Sequence, residues 1–327
     1  MTLTTSFRDA IREALSEAMR DDPRVVLMGE DLGDYGGAFG VSRGLLEEFG
    51  ERRILQTPIS ENSFVGAAVG AAAGGLRPVV EIMFADFLFC CMDALTNHAA
   101  KFRYMYDGQL SVPMVVRAPM GRRMGYGATH SQSPEAFFMH VPGLKVVAPS
   151  SAADAKSLLA AAIKDPDPVM FFEHKLLYDT REVMPIAGDE LPPGKARVVR
   201  RGSDVTLCSY SRGTTLCLAA AATLQDFGVQ AEVVDLRSLA PLDIATIVES
   251  VRKTGRLVAV SEDCLTGGVA SIVAAEVGDA AFEHLRGPIA RVSAADVPVP
   301  SGPELEEVVM VQEATIVEQA RHLVKHY

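Results

Sequence analysis

Basic runs are missing from this chain of 327 residues. Its 42 acidic against 31 basic side chains leave a net charge of -11, the wrong sign for a nucleic-acid partner. No apolar stretch reaches the roughly 18–20 residues that cross a bilayer, so no membrane span is expected. Met1-Thr2-Leu3-Thr4-Thr5-Ser6-Phe7-Arg8-Asp9 lacks a charged segment followed by an apolar one, and so lacks a signal-peptide pattern. The five cysteines, Cys90, Cys91, Cys208, Cys217 and Cys264, are odd in number and show neither metal nor redox spacing. Adjacent Cys90 and Cys91 suit a mutual disulfide poorly. A reduced, cytoplasmic protein is therefore expected. There is no P-loop, no G-x-G-x-x-G fingerprint, no zinc-ligand cluster and no tandem repeat. Gly40-Val41-Ser42-Arg43-Gly44 matches the G-x-S-x-G nucleophile elbow, but that elbow needs a strand directly before the serine. Gly33-Asp34-Tyr35-Gly36-Gly37-Ala38-Phe39 cannot form a core strand, so the match is read as chance.

What is present is an alternation of strands and helices. Hydrophobic residues make up 48% and charged residues 22%, enough apolar material for two α/β domains with their own cores. Ser6 can cap a first helix, with Asp9 three residues on and Phe7, Ile11, Leu15 and Ala18 at helical spacing. Strands are predicted at 25–28, 53–56, 78–83, 112–117, 144–148 and 169–172, with helical segments at 84–104 and 152–163. Such alternation implies a parallel sheet covered on both faces. Residues 186–200, with Leu191-Pro192-Pro193-Gly194 inside, read as a linker between domains at 1–185 and 201–327. The alternation restarts after it, with strands at 205–208, 231–236, 256–261 and 289–292.

Two stretches stand out chemically. Thr57-Pro58-Ile59-Ser60-Glu61 leads into the small, apolar run Val65-Gly66-Ala67-Ala68-Val69-Gly70-Ala71-Ala72-Ala73. Glu61 is the one charge between Arg53 and Arg77. Apolar surroundings would raise its carboxyl pKa and let it act as a proton donor; the plainer reading is a first-turn residue favoured by the helix dipole. The second stretch is Thr129-His130-Ser131-Gln132, in a glycine-rich loop between two strand-helix units, where α/β sheets place active sites. His130 can move protons near neutral pH, or can be an ordinary exposed histidine. His98 and His140 read as structural, while His174, His284, His322 and His326 carry no signal.

These stretches, with Gly75-Leu76-Arg77-Pro78, His130-Ser131-Gln132-Ser133 and Pro142-Gly143-Leu144-Lys145-Val146-Val147 in the same order, resemble the β subunit of the thiamine-diphosphate-dependent E1 component of 2-oxo acid dehydrogenase complexes. The resemblance covers nearly the whole chain. It implies a transketolase-like pyrimidine-binding domain followed by a transketolase C-terminal domain. It puts Glu61 at N1′ of the cofactor's aminopyrimidine, where it promotes loss of the C2 proton. It puts Phe87 against the pyrimidine ring, Cys90 near the cofactor, and His130 facing the reacting carbon and the incoming lipoyl group. It also implies a potassium site, found in some members, at the carbonyls of Met114, Ala162, Ile163, Asp165 and Asp167. The substrate it implies is pyruvate or a branched-chain 2-oxo acid. Glu173-His174-Lys175-Leu176-Leu177-Tyr178 looks closer to acetoin dehydrogenases, and Ser133-Pro134-Glu135-Ala136-Phe137-Phe138 to branched-chain enzymes.

One motif of that superfamily is absent. Gly-Asp-Gly with a downstream Asn holds the magnesium and diphosphate, and no Gly-Asp-Gly occurs here. A diphosphate needs its charge offset by magnesium or clustered donors. An E1 α subunit is therefore expected to supply that half of the site in an α2β2 heterotetramer, with an E2 lipoyl acyltransferase core as the further partner. A complete transketolase-like enzyme would carry the motif itself. A non-catalytic assembly subunit would not need Glu61 or His130.

Overall fold

The computed structural model describes residues 4–33, 35–123, 125–184 and 191–327. In chain order the elements are β1 (Thr4–Ser6), α1 (Phe7–Asp21), β2 (Val25–Gly29), α2 (Leu45–Phe49), β3 (Ile54–Gln56), α3 (Glu61–Ala73), β4 (Arg77–Glu81), α4 (Phe102–Met105), β5 (Val115–Met120), α5 (Glu135–Met139), β6 (Lys145–Val147), α6 (Ala152–Lys164), β7 (Val169–His174) and β8 (Arg181–Val183). Then come β9 (Arg197–Arg200), β10 (Val205–Ser209), α7 (Ser211–Asp226), β11 (Ala231–Asp235), β12 (Ser238–Ala240), α8 (Ile244–Thr254), β13 (Leu257–Cys264), α9 (Val269–Ala281), β14 (Ala290–Ala294), α10 (Pro303–Val309) and α11 (Glu313–His326). Two compact units result, Met1–Met120 with Phe137–Pro193, and Gly121–Ala136 with Gly194–Tyr327.

In the first unit the strands run in the order β6-β7-β5-β4-β2-β3, all parallel. β2 and β5 are buried along their whole length, as continuous apolar runs in a parallel sheet must be. Ser6 caps α1 as its sequence predicts, accepting the Asp9 N–H at 3.0 Å. That fixes the helix phase, so Ile11, Ala14 and Leu15 face Leu158 and Leu159 of α6 in one apolar core. The predicted helix over 84–104 is instead a 3-10 turn (Ala85–Cys91), a π turn (Ala94–Ala99) and α4. β1 and β8 form a small antiparallel pair that alternating patterns do not reveal.

The second unit's sheet runs β14-β13-β10-β11-β9. β9 is antiparallel to β11 at one edge. It lies inside the stretch read as a linker, of which 186–190 fall outside the described residues. Asp243 caps α8 and Gly255, with φ of 72°, ends it in the left-handed region.

A buried ionic network spans the middle of the first sheet. Arg117 on β5 donates Nε and Nη2 to Glu173 on β7 at 2.7 and 2.8 Å, and Nη1 to Glu81 on β4 at 2.5 Å. The Tyr178 hydroxyl donates to Glu173 at 2.7 Å. Burial pushes the Glu81 carboxyl up, against the pull of Arg117. A Cβ at Gly37, where φ is 77°, would meet Glu81 Oε1 at 2.1 Å, so this glycine lets the loop after β2 close over the network. Arg117→Met should cost about 3–5 kcal/mol, because it leaves two buried carboxylates without a cation. Urea unfolding measures this, and a loss under about 1 kcal/mol would mean the network is dispensable.

Candidate active site

Parallel strands send their carboxyl ends to one edge of the sheet, and there the candidate residues of the first unit gather. Glu30 directly follows β2, the stretch 57–61 follows β3, and the turn bearing Phe87 and Cys90 follows β4; these three strands are neighbours. The Thr57 N–H donates to the Gly29 carbonyl at 2.8 Å, which holds the two loops side by side. Glu61 is the first residue of α3 and is half-buried. The residue before it, Ser60, caps nothing; its hydroxyl donates to Ser63 at 2.9 Å.

The carboxyl that burial lifts beside Glu61 is Glu30. It is buried, its Oε1 has no hydrogen-bond partner, and its pKa is pushed up to about 7, first by burial and then by the charges of Glu61 and Asp31. Glu61 is thus near enough for its charge to bear on the Glu30 carboxyl. Sequence reading missed Glu30. Its signal was an acidic residue placed straight after a buried strand, in Gly29-Glu30-Asp31.

Phe87 is half-buried and packs edge-on to Phe84 with ring centroids 5.8 Å apart. Cys90 is exposed and Cys91 buried, and both are free thiols. Burial, helped by the nearby charges of Cys90 and Glu61, pushes the Cys91 thiol up to about 12, so it stays protonated. A flat aminopyrimidine fits this set. Glu61 supplies a carboxyl for a ring nitrogen, Phe87 an aromatic wall, and Glu30 an orphaned buried oxygen on the neighbouring strand's end.

His130 belongs to the second unit, half-buried in the loop after β5. Its Nδ1 lies 3.0 Å from Thr129 Oγ1, and its N–H donates to the Gly127 carbonyl at 3.3 Å. The loop is closed on itself by the Gly121 N–H donating to Gln132 O at 3.0 Å. Each unit therefore carries one of the two candidate catalytic residues.

Four of the five carbonyls implied for potassium, those of Met114, Ala162, Ile163 and Asp165, accept hydrogen bonds within the chain. Arg77 Nη1 donates to Ile163 O at 2.7 Å and to Asp165 O at 3.2 Å. The Met114 carbonyl accepts from the Val169 N–H at 3.0 Å and the Ala162 carbonyl from the Asp165 N–H at 3.2 Å. Lys145 Nζ sits 2.7 Å from the Asp165 carboxylate and 3.4 Å from Asp167, which also pairs with Arg103. Three cationic side chains thus neutralise this loop from within the chain.

Two histidine readings are corrected. His98 and His140 are exposed, because they fall on the outer faces of the 85–105 turns and of α5's end. His174 is fully buried, because it closes β7 in the middle of the sheet, and its Nδ1 accepts from the Leu176 N–H at 3.1 Å. Ser42 is buried and donates to Leu32 O at 3.2 Å, a loop-closing bond and not an exposed nucleophile.

A family model described as "Transketolase, pyrimidine binding domain" matches residues 4–181, and one described as "Transketolase, C-terminal domain" matches residues 194–316. Among curated proteins, the "Pyruvate dehydrogenase E1 component subunit beta-2, mitochondrial" of Oryza sativa subsp. japonica is 48% identical over 320 residues, covering 96% of this chain and 85% of that protein. The "Pyruvate dehydrogenase E1 component subunit beta" of Rhizobium meliloti is 44% identical, covering 97% of this chain and 69% of that protein. The "Acetoin:2,6-dichlorophenolindophenol oxidoreductase subunit beta" of Cupriavidus necator is 44% identical and covers 99% of both chains. In fold, a split-gene transketolase described as an inactive β4 tetramer superposes with a TM-score of 0.80 at 24% identity, over 98% of both chains.

Proposed function

Since the chain belongs to the family of E1 β subunits of 2-oxo acid dehydrogenase complexes, built from transketolase-like pyrimidine-binding and C-terminal domains, we propose that it supplies the pyrimidine half of a thiamine diphosphate site. With an α subunit it decarboxylates a 2-oxo acid and passes the acyl group to lipoyl on an E2 core. The observation that carries this reading is the Glu61–Glu30 pair beside Phe87 at the carboxyl edge of the first sheet.

When bound, thiamine diphosphate supplies the carbanion chemistry. The chain's own groups do the rest. Glu61 shares its proton with the aminopyrimidine N1′. Glu30, buried nearby, keeps a proton available near neutral pH. Phe87 covers one ring face and excludes water, with Cys90 at its exposed rim. His130 orients the reacting carbon and the incoming lipoyl group, as a group able to give and take a proton.

Magnesium and the diphosphate fall to the α subunit. This chain has no Gly-Asp-Gly, and among the described residues no group of three acidic, His or Cys side chains could hold a metal. The potassium site that the resemblance implies stays a proposal at the carbonyls of Met114, Ala162, Ile163, Asp165 and Asp167, two of which also accept from Arg77. Five free cysteines, two of them adjacent, fit a reducing compartment. Cleavage of acetoin is the second reading, favoured by the full-length match to an acetoin oxidoreductase β subunit.

The test is reductive acylation of a lipoyl domain by the chain combined with its α partner. Acylation from pyruvate, a branched-chain 2-oxo acid or acetoin is the expected result, and none from any of the three sinks the reading. In the same assays His130→Ala should lower lipoyl acylation about 10²-fold or more, and dye-linked decarboxylation no further than that. Full activity of His130→Ala in both assays would return this residue to an ordinary loop position.

A further inference from the structure

Residues 121–136 carry His130 and are held to the second unit at two points of opposite character. Near one end, Arg122 Nη1 lies 2.8 Å from Glu307 and 3.7 Å from Glu306 of α10, an ionic anchor. At the other end stands Glu135, which is 0% exposed. Around it are Tyr210, just before α7, and Glu262 and Asp263 of β13. No cation among the described residues pairs with Glu135. Arg212 of α7 faces Glu262 instead, at 3.4 Å. Asp263 is engaged elsewhere, accepting the Ser261 hydroxyl and, at 2.7 Å, the Val269 N–H that starts α9.

An anion at Glu135 would add a third carboxylate beside Glu262 and Asp263 and would itself face no cation among the described residues, a costly arrangement. A protonated carboxyl there is a donor as well as an acceptor. Neither Glu135 oxygen closes a full hydrogen bond, but the Tyr210 hydroxyl and Glu135's own N–H lie within electrostatic reach. We propose that Glu135 is a positioning residue, a buried neutral acid whose seating among Tyr210, Glu262 and Asp263 latches residues 121–136, and with them His130, onto the C-terminal unit. The proposal rests on the role given to His130 above.

The pH dependence follows from linkage. Burial, then the charges of Asp263 and Glu262, raise the Glu135 pKa well above its ordinary 4.5. A released loop would ionise near that ordinary value. The latch is therefore at full strength below about pH 4.5 and weakens as pH rises toward the folded pKa, by up to about tenfold per pH unit. Two other groups in the cluster titrate away from their usual range. Asp263 is pushed up to about 6 by burial, and Tyr210 is raised by burial and by the neighbouring carboxylates. Arg212 is the facing cation.

The experiment is hydrogen exchange of peptides covering 121–136 in the chain assembled with its α partner, from about pH 5 to about pH 8, corrected for intrinsic exchange. In the parent, protection should fall with pH at up to about tenfold per unit. Glu135→Gln, an isostere of the neutral acid, should keep the protection and flatten its slope, leaving the share due to Asp263. Glu135→Ala should lose protection at every pH, with a matching fall in lipoyl acylation. A parent-like slope in Glu135→Gln, or loss of protection in Glu135→Gln equal to that in Glu135→Ala, overturns the latch. Exchange is read without turnover, so the latch is decided even if His130 proves dispensable. If Glu135→Ala does not fold, the parent and Glu135→Gln alone decide it.

Discussion

Glu61→Gln is expected to fold and assemble like the parent and to lose about 10²–10⁴-fold in turnover at saturating cofactor. Glutamine matches glutamate in size, so the first turn of α3 and the loops it touches need not move. Its amide cannot share a proton with a ring nitrogen, and that proton is what the carboxyl contributes. Glu30 is not expected to replace it, since Glu30 is itself buried. The substitution should also remove one of the two charges that hold the Glu30 pKa near 7 after burial, so that Glu30 titrates closer to its ordinary 4.5. Turnover within a few-fold of the parent, with the cofactor shown to be saturating, would end the assignment of Glu61 as the proton-handling group.

Expressed alone, the chain should bind thiamine diphosphate weakly and turn over nothing; adding the α subunit should restore both together. A lone pyrimidine contact leaves a charged diphosphate with nothing to offset its desolvation. The outer face of α3 is also built for a close neighbour. Asn62, Ser63, Gly66, Ala67 and Gly70 are exposed along it, and a Cβ at Gly66 or Gly70 would meet nothing within 4 Å. Calorimetry and light scattering on the lone chain give the answer. A stable assembly of this chain only, binding magnesium-thiamine diphosphate tightly and decarboxylating a 2-oxo acid, would refute a site shared between two different chains.

Much of the architecture is written in local pattern. Continuous apolar runs gave β2, β5 and β10, and the Ser6–Asp9 cap gave the start and phase of α1. What escaped was mostly non-local. Arg117 meets Glu81 and Glu173 across 36 and 56 residues of sequence, and no local pattern links the three strands' charges. β1 and β9 are short edge strands whose partners lie far along the chain, so periodicity has too few residues to register them. In the site, Glu61 was visible because the run after it is nearly free of charge. Glu30 was not, because its meaning comes from lying near Glu61 once two parallel strands are side by side. Glu135 sat in a stretch noted only for its likeness to branched-chain enzymes; its isolation from any cation appears only when β13 and Tyr210 close around it.

The compact units do not divide the chain at one place. Residues 121–136 group with Gly194–Tyr327, although they fall between β5 and β6 of the first sheet. Anyone building hybrids between related β subunits would meet this as a rule of exchange. A single crossover near residue 194 would give the loop one parent and its footing another, mismatching Arg122 with Glu307 and Glu135 with Tyr210. A hybrid that moves 121–136 together with the C-terminal part keeps both anchors of one parentage, and the histidine they carry travels as the property of the second domain.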